Sequence, residues 1–414
     1  MNNKKIKVMV LGDDPRHPSG VANQMRYFIN GLLKTGRYSF VSIGGALKHA
    51  NYDVVQSPEH GEDFIIYPTD GYGTHEMVRA LLKKHKPDVM WIMTDPRYWE
   101  WLWTIENEIR PNCPIVYYHV WDNYPYPHYN RRHYLSNDKI VTISKLTDDI
   151  VRTVAPEVDC TYLPHTVDTD IFKPMNEGDV LPHKPAGKTL FFWNNRNARR
   201  KLPGTVLWWF ADFLEMVGKD KAMLLMHTDP RDPQQGIGLE AIAQERGLTR
   251  ENYAISAGRV DEKQLALYYN IADCTINISD AEGFGIGTLE SLACGTPIIV
   301  NETGGLKDQI TDGVNKFGIG IKPASSAIVG SQQTPYIYED RVSREDFIDA
   351  LMKIHSMTNA ERKHLGALGR ENVLKTFGME QYVEGWDRIL TEVYEKHGSW
   401  ETRKSHSRWT LKGI

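Results

Sequence analysis

The sequence predicts an α/β protein of two domains, each a doubly wound parallel sheet with helices on both faces, set across a cleft. Short, strongly apolar runs alternate with longer amphipathic ones, which is the pattern of buried parallel strands joined by crossover helices. That alternation stops over "LPHTVDTDIFKPMNEGDVLPHKPAGK", a stretch rich in Pro, Asp and Gly, and then begins again. The length of 414 residues exceeds what one ordinary core organises and divides into two domains of about 200 each.

The first domain covers residues 1–170. "KIKVMVLGDD" is a buried strand and turn, and "GVANQMRYFINGLLKTGRY" is a helix with Gly36 placed to stop it. There follow strand "DFIIYP", helix "HEMVRALLKKHKP", strand "DVMWIMT", helix "WEWLWTIENEI" and strands "PIVYYH" and "KIVTIS". Residues 171–187 read as a linker. The second domain, 188–378, has strands "TLFFWN", "AMLLMH", "YAISAG", "CTINIS" and "PIIVN". Helices fall at about 203–217, 239–247, 261–271, 288–294 and 343–356. Residues 379–397 form a closing helix, and the polar, basic tail 398–414 is expected to fray. Ligands of such sheets bind where the carboxyl ends of the strands meet a crevice.

Composition narrows the function. Apolar residues make up 41% and charged residues 25%, and the formal charge of −4 excludes a general polyanion binder. Cys113, Cys160, Cys274 and Cys294 are far apart and form no Cys-x-x-Cys pair, so reduced thiols and a cytoplasmic setting are expected. The apolar run near the N-terminus is too short for a signal peptide, and no stretch approaches the ~20 apolar residues of a membrane span. Contact with a membrane is expected to be peripheral at most. No zinc or Walker spacing occurs, and no metal is expected.

The most informative stretch is "EGFGIGTLE", residues 282–290. It joins a strand to a helix ended by Gly295 and Pro297. A strand, a glycine turn and a helix aim backbone amides at an anion, and the helix start adds the equivalent of about half a positive charge. Gly283, Gly285 and Gly287 are spaced by two, unlike the dinucleotide fingerprint Gly-x-Gly-x-x-Gly. A tight turn needing positive φ, with its acids facing water, is the plainer alternative. Glu282 and Glu290 argue for more: one can accept from sugar hydroxyls, the other from both hydroxyls of a ribose.

These residues, with "ACGTPIIVNETGG", "LPHTVDTDIFKP", "AGRVDEKQLALYYNIADCTINIS" and "PSGVANQMRYFINGLLKTG", resemble the retaining glycosyltransferases of family 4, the glycosyl transferases group 1. The resemblance extends over most of the chain. It implies a GT-B fold of two Rossmann-like domains, with the C-terminal helix returning to the N-terminal one. It also implies a nucleotide-diphosphate sugar as donor substrate, with UDP or GDP as the nucleotide, and no permanently bound cofactor.

Site roles carry over residue by residue. Arg196 and Lys201, in "FFWNNRNARRKLPG" beside Arg199 and Arg200, match the cations that bind the donor diphosphate. His119, at the end of "PIVYYH", matches the active-site histidine, with Asp122 in place of the usual adjoining aspartate. Glu282 matches the acid at the transferred sugar. Gly283, Phe284, Gly285, Ile286, Gly287 and Glu290 match the donor-binding turn. Ser19 and Gly20 match the glycine loop of the other domain, and Gly258 and Arg259 the nucleobase contact. Asp168 and Asp170 match the linker pattern rather than a metal-binding pair.

The implied reaction keeps the anomeric configuration and moves a sugar to an acceptor hydroxyl on a glycan, lipid or small molecule. Residues 117–134 crowd aromatics beside Arg131 and Arg132, and Trp99, Trp101 and Trp103 precede them. Trp121, Tyr124, Arg131 and Arg132 are therefore acceptor candidates. Aromatic faces beside arginines also suit a nucleic-acid base as acceptor, while "EMVRALLKKHKP" could lie on a membrane near a lipid acceptor. Core packing is the competing reading for these aromatics. Two further alternatives are a nicotinamide-dependent oxidoreductase using Glu302 as its ribose acid, and a non-catalytic nucleotide-sugar-binding protein.

Overall fold

The run "IKVMVLGD" forms strand β1 (Ile6–Asp13), and its residues are almost all buried because the strand lies in the middle of a sheet covered on both faces. The computed structural model describes residues 4–404 and 406, in two units. The first comprises residues up to Thr166, Ser331–Pro335, and the chain from Met379 on. Its remaining strands are β2 (Tyr38–Gly45), β3 (Val55–Ser57), β4 (Gly61–Pro68), β5 (Val89–Thr94), β6 (Ile115–His119), β7 (Lys139–Thr142) and β8 (Cys160–Tyr162). They lie in the order β3-β4-β2-β1-β5-β6-β7-β8, parallel except for the β3–β4 pair.

The second unit comprises Val167–Gly330 and Tyr336–Gly378. Its parallel sheet holds β9 (Thr189–Asn194), β10 (Ala222–His227), β11 (Tyr253–Ser256), β12 (Cys274–Asn277), β13 (Ile298–Asn301) and β14 (Gly318–Ile321). The order is β11-β10-β9-β12-β13-β14. An antiparallel hairpin, β15 (Ser325–Val329) and β16 (Ile337–Arg341), follows it.

The C-terminal helix Met379–His397 belongs to the first unit, as expected. Trp386 is fully buried there, edge-on to Phe28 at 5.0 Å and to Tyr118 at 4.9 Å, while Phe28 stacks on Trp91 at 4.3 Å. Gly31 lets this helix approach, since a Cβ there would lie 2.4 Å from Val383.

Several expectations need correction. Residues 171–187 are no bare linker: Phe172 is fully buried against Tyr269, Asn270 accepts from the Met175 amide at 2.8 Å, and Glu177–Val180 is a helical turn. This packing counts the stretch with the second unit. "WEWLWTIENEI" breaks into two short helices, Glu100–Trp103 and Glu106–Ile109, where the Thr104 hydroxyl donates to the Trp101 carbonyl at 2.6 Å and competes with the helix. The tail is docked through Lys404 rather than frayed. Ser399 donates to Asp88 at 2.7 Å, Trp400 Nε1 to the Pro87 carbonyl at 2.9 Å, and Arg403 pairs with Asp138 at 3.0 Å. Residues 405 and 407–414 lie outside the described residues. The analysis of the sequence passed over β2, β14, the hairpin and the helices Lys145–Val154 and Asn359–Thr376.

Among the described residues no helix is long and apolar enough to cross a membrane. Cys113, Cys274 and Cys294 are buried free thiols and Cys160 is half-buried. Truncating Trp386 to Ala should cost the first unit about 3–5 kcal/mol. Urea unfolding followed by circular dichroism would report the loss, and an unchanged midpoint would remove the C-terminal helix from that unit's core.

Candidate functional site

In the second sheet the strand order reverses between β9 and β12, and a crevice opens at the carboxyl ends of two such strands. β9 ends on Asn194, and β12 runs into the glycine turn. The turn leads to the helix Ile286–Ala293, capped by Gly285 at φ +91°, a left-handed value that disfavours any side chain. A Cβ at Gly285 would also sit 2.5 Å from Leu306. The backbone of Gly283 and Phe284 lies against Gly305, whose amide donates to the Glu282 carbonyl at 2.9 Å. Gln309, fully buried, donates to the Phe284 and Gly285 carbonyls at 2.7 and 3.0 Å. These bonds fix the turn from behind. The first intrahelical bond runs from the Leu289 amide to the Gly285 carbonyl, so the Ile286, Gly287 and Thr288 amides have no partner inside the helix.

Two cations reach the acid of the turn. The 3-10 turn Arg199–Lys201 ends at Leu202, held at φ +54° before Pro203 opens the helix Pro203–Val217. That turn sets Lys201 Nζ on Glu282 Oε2 in a buried ion pair. Arg200 donates to the Ala281 carbonyl at 2.6 Å and stands 4.0 Å from Glu282 Oε1. Burial works to raise the Glu282 pKa, but Lys201 and Arg200, with a hydrogen bond from Asn277, hold it below the ordinary value. Asp280 joins these parts by its backbone, donating to the Arg200 carbonyl and accepting from the Asp340 amide. Its own carboxyl is fully buried without a hydrogen bond, and burial pushes it up to about 6.

Arg196 departs from expectation. It is committed to Asp232 and Gln234 on an exposed loop, so the second cation beside Glu282 is Arg200. Arg199 pairs instead with Glu339 of β16. Glu290, only 5% exposed, accepts from the Tyr269 hydroxyl at 2.7 Å, and Asn194 Nδ2 donates to that hydroxyl at 2.7 Å. Burial pushes Glu290 up to about 8 against the pull of Tyr269. Gly287 packs here: its Cβ would lie 3.2 Å from the Tyr269 hydroxyl. The Phe284 ring turns inward, edge-on to Phe377. Gly258, at φ +85°, and Arg259 are exposed beyond the end of the edge strand β11.

The first unit reassigns several residues. His119 is fully buried, with Nδ1 3.0 Å from the Tyr117 hydroxyl and Nε2 2.9 Å from that of Tyr134. Burial drives its pKa down to about 3, so the ring is a neutral packing element and not a side chain offered to a sugar. Trp121 is 2% exposed and donates to the Asn123 carbonyl, which makes it core. Tyr124 donates to Asp149, Arg131 pairs with Glu157, and the exposed Arg132 donates to His133. Trp99 and Trp103 are buried as well.

The first sheet reverses its order between β1 and β5. Sequence reasoning missed the carboxylates at those strand ends. Asp13 accepts from Ser19 at 2.6 Å and Tyr72 at 3.0 Å, beside Gly20 at the start of the helix Gly20–Lys34. Asp95, next to Arg97, is pushed up to about 6 by burial, and Thr94 before it is held at φ +116°, a strained value for a β-branched residue. The missed signal was position, at the ends of the strands flanking the reversal.

A cavity of about 960 Å³ lies at the opposite, amino end of the second sheet, lined by Lys184, Thr189, Asp273, Pro297, Arg362 and Arg370 among others. None of the residues of the glycine turn lines it.

The ion pair makes a stability prediction. Lys201→Met leaves Glu282 buried without its main partner and should cost about 3–5 kcal/mol, whereas Lys201→Met with Glu282→Gln should cost much less. Glu282 sits below its ordinary value of 4.5, so its contribution is present above that pH and lost as pH falls through the folded value. A double-mutant cycle from urea melts at pH 7 and pH 3 checks both points.

Residues 238–365, which contain the turn, Glu282 and Glu290, match the family model described as Glycosyl transferases group 1. The D-inositol 3-phosphate glycosyltransferase of Nocardiopsis dassonvillei is 29% identical over 180 residues, which is 41% of this chain and 42% of that protein. That of Xylanimonas cellulosilytica is 25% identical over 189 residues, 44% of each. The matches thus span under half the length of these curated relatives. Among solved structures, sucrose-phosphate synthase from Thermosynechococcus elongatus superposes with a TM-score of 0.75 at 16% identity, covering 95% of this chain and 100% of that one. HepE from Anabaena, in complex with UDP and glucose, does so with a TM-score of 0.66 at 11% identity, covering 94% and 100%. At such identities the likeness is one of fold. With the turn, its two acids and two Rossmann-like sheets in place, the chain belongs to the glycosyl transferases group 1 and has the GT-B fold.

Proposed function

We propose that the protein is a retaining glycosyltransferase that moves a sugar from a nucleotide-diphosphate donor, with UDP or GDP as the nucleotide, to an acceptor hydroxyl without a catalytic metal. The observation that carries this reading is the meeting of Lys201, Arg200 and Glu282 at the glycine turn. The departing diphosphate gains negative charge as the bond to the anomeric carbon breaks. Fixed cations and helix-start amides stabilise that charge most in the transition state. An ammonium carries three N–H donors, and Glu282 holds it at the turn.

In the step proposed, the acceptor oxygen bonds to the anomeric carbon on the face that the diphosphate leaves. The hydroxyl proton passes to the leaving phosphate oxygen. No protein nucleophile is needed, and Glu282, held ionised, orients the sugar. Glu290 receives the ribose of the donor. The His119 ring takes no part, because both its nitrogens are engaged with buried phenols.

The curated relatives act on an inositol 3-phosphate by their names, which supports a polyhydroxylated acceptor. The nucleic-acid alternative rested on aromatics and arginines that are occupied within the first unit, Arg131 with Glu157 and Tyr124 with Asp149. The nicotinamide alternative leaves Lys201, Glu282 and Glu290 without a role.

UDP-, GDP- and ADP-sugars scored by thermal shift should include one nucleotide that stabilises the protein, and Lys201→Ala and Glu290→Ala should each abolish that shift. Slow donor hydrolysis should persist in EDTA and release sugar of retained configuration by NMR. Binding without any hydrolysis or transfer would leave a non-catalytic nucleotide-sugar-binding protein. Mutants that respond like the parent would move the site elsewhere.

A further inference from the structure

Glu290 and its surroundings form a short relay that the reaction scheme does not require. Asn194, the last residue of β9, donates to the Tyr269 hydroxyl, and Tyr269 donates to one oxygen of Glu290, both at 2.7 Å. Tyr269 is fully buried on the helix Glu262–Ile271, edge-on to Phe192 and Phe172, so its hydroxyl is fixed by packing. The missing Cβ of Gly287 leaves room for it. Three elements thus converge on one carboxyl: a strand end, a helix, and the helix after the glycine turn.

We propose that Tyr269 is a positioning residue for donor capture: oriented by Asn194, it aims Glu290 at the two ribose hydroxyls, and capture of the ribose releases the proton that Glu290 carries in the empty protein. This deepens the nucleotide-sugar reading and rests on it. The groups facing Glu290 fit the idea. Glu262, on the same helix as Tyr269, repels a charge there, Asn194 is neutral, and the neighbouring Cys294 thiol is itself pushed up by burial. Tyr269 supplies one donor, which does not offset burial, so Glu290 sits at about 8 and holds its proton at neutral pH. Two ribose hydroxyls add two donors that bond best to the ionised form. The proton goes to solvent, the hydroxyls keep theirs, and no covalent bond changes. Below pH 8, a ribonucleotide that needs the carboxylate must displace a proton, whereas one lacking the diol need not.

The test is calorimetric titration of the full chain with UDP, GDP and ADP, and with the 2′,3′-dideoxy form of whichever binds, between pH 6.5 and 8.5. Two buffers of different ionisation enthalpy count the protons. The dideoxy ligand cancels the titration of the phosphates. The ribonucleotide should release up to about one proton more than its dideoxy form, and its affinity advantage should rise by up to about tenfold per pH unit below 8. Tyr269→Phe should cut that advantage roughly tenfold and move its rise to higher pH, leaving dideoxy affinity unchanged. Asn194→Ala should do the same more weakly. Glu290→Gln should abolish the pH dependence and the extra proton, and it serves if Tyr269→Phe fails to fold. Equal losses for both ligands, or a flat advantage across pH, would overturn the relay while leaving the donor site standing. Failure of the parent to bind any of the three nucleotides would overturn the donor site and the relay with it.

Discussion

Lys201 and Glu282 are buried together, and the rest of the second unit's site follows from that pairing. Neither charge is tolerable alone in such a place, because the cost of desolvating an unpaired ion is several kcal/mol. The pair therefore fixes two chain segments 81 residues apart against each other: the 3-10 turn after β9 and the glycine turn after β12. Leu202 in a left-handed conformation, Gly285 at φ +91° and the buried Gln309 all hold those two segments in register. Strain of this kind persists only where surrounding contacts over-determine it. The result is a cation fixed beside the amides of a helix start without a ligand to hold it there.

The fold was largely legible because its signals are short-range. Runs such as "KVMVL", "TLFFW" and "PIIV" can only be buried strands, and the helices between them carry caps and stops. What escaped was set by contacts distant in sequence. "SIGG" in β2 and "GIGI" in β14 carry too much glycine to read as strands, and pairing with β1 and β13 makes them so. The stretch 171–187 looked like linker because nothing local reveals that Phe172 finds Tyr269.

The site divides the same way. Gly285, Glu282 and Lys201 declare themselves through residue type and spacing, since backbone freedom and paired charge are local needs. Between Arg196 and Arg200 the sequence offers no choice; the partners decide, Asp232 for one and Glu282 for the other. His119 ends a strand as an active-site residue would, yet two phenols from Tyr117 and Tyr134 enclose it. The aromatic crowd around residues 117–134 likewise turns into packing, which is the commoner fate of buried rings. Tyr269 shows the converse, an apolar-looking helix residue whose hydroxyl meets the one carboxylate that needs it.

Glu282 and Glu290 lie on either side of one helix start, and their environments push them apart. Glu282 has Lys201 and Arg200 against it and stays charged. Glu290 has a phenol and a second carboxylate in its surroundings and rises to about 8. Two acids in one small site with opposite shifts divide their tasks by environment. A permanent charge at Glu282 keeps the ammonium fixed whether or not the site is filled. A carboxyl at Glu290 that ionises only when hydroxyls arrive avoids holding a second buried anion next to the place where diphosphate must enter. Like charges that close would repel the donor, so the proton on Glu290 keeps the empty site receptive to an anion, and its loss on capture ties the ribose in.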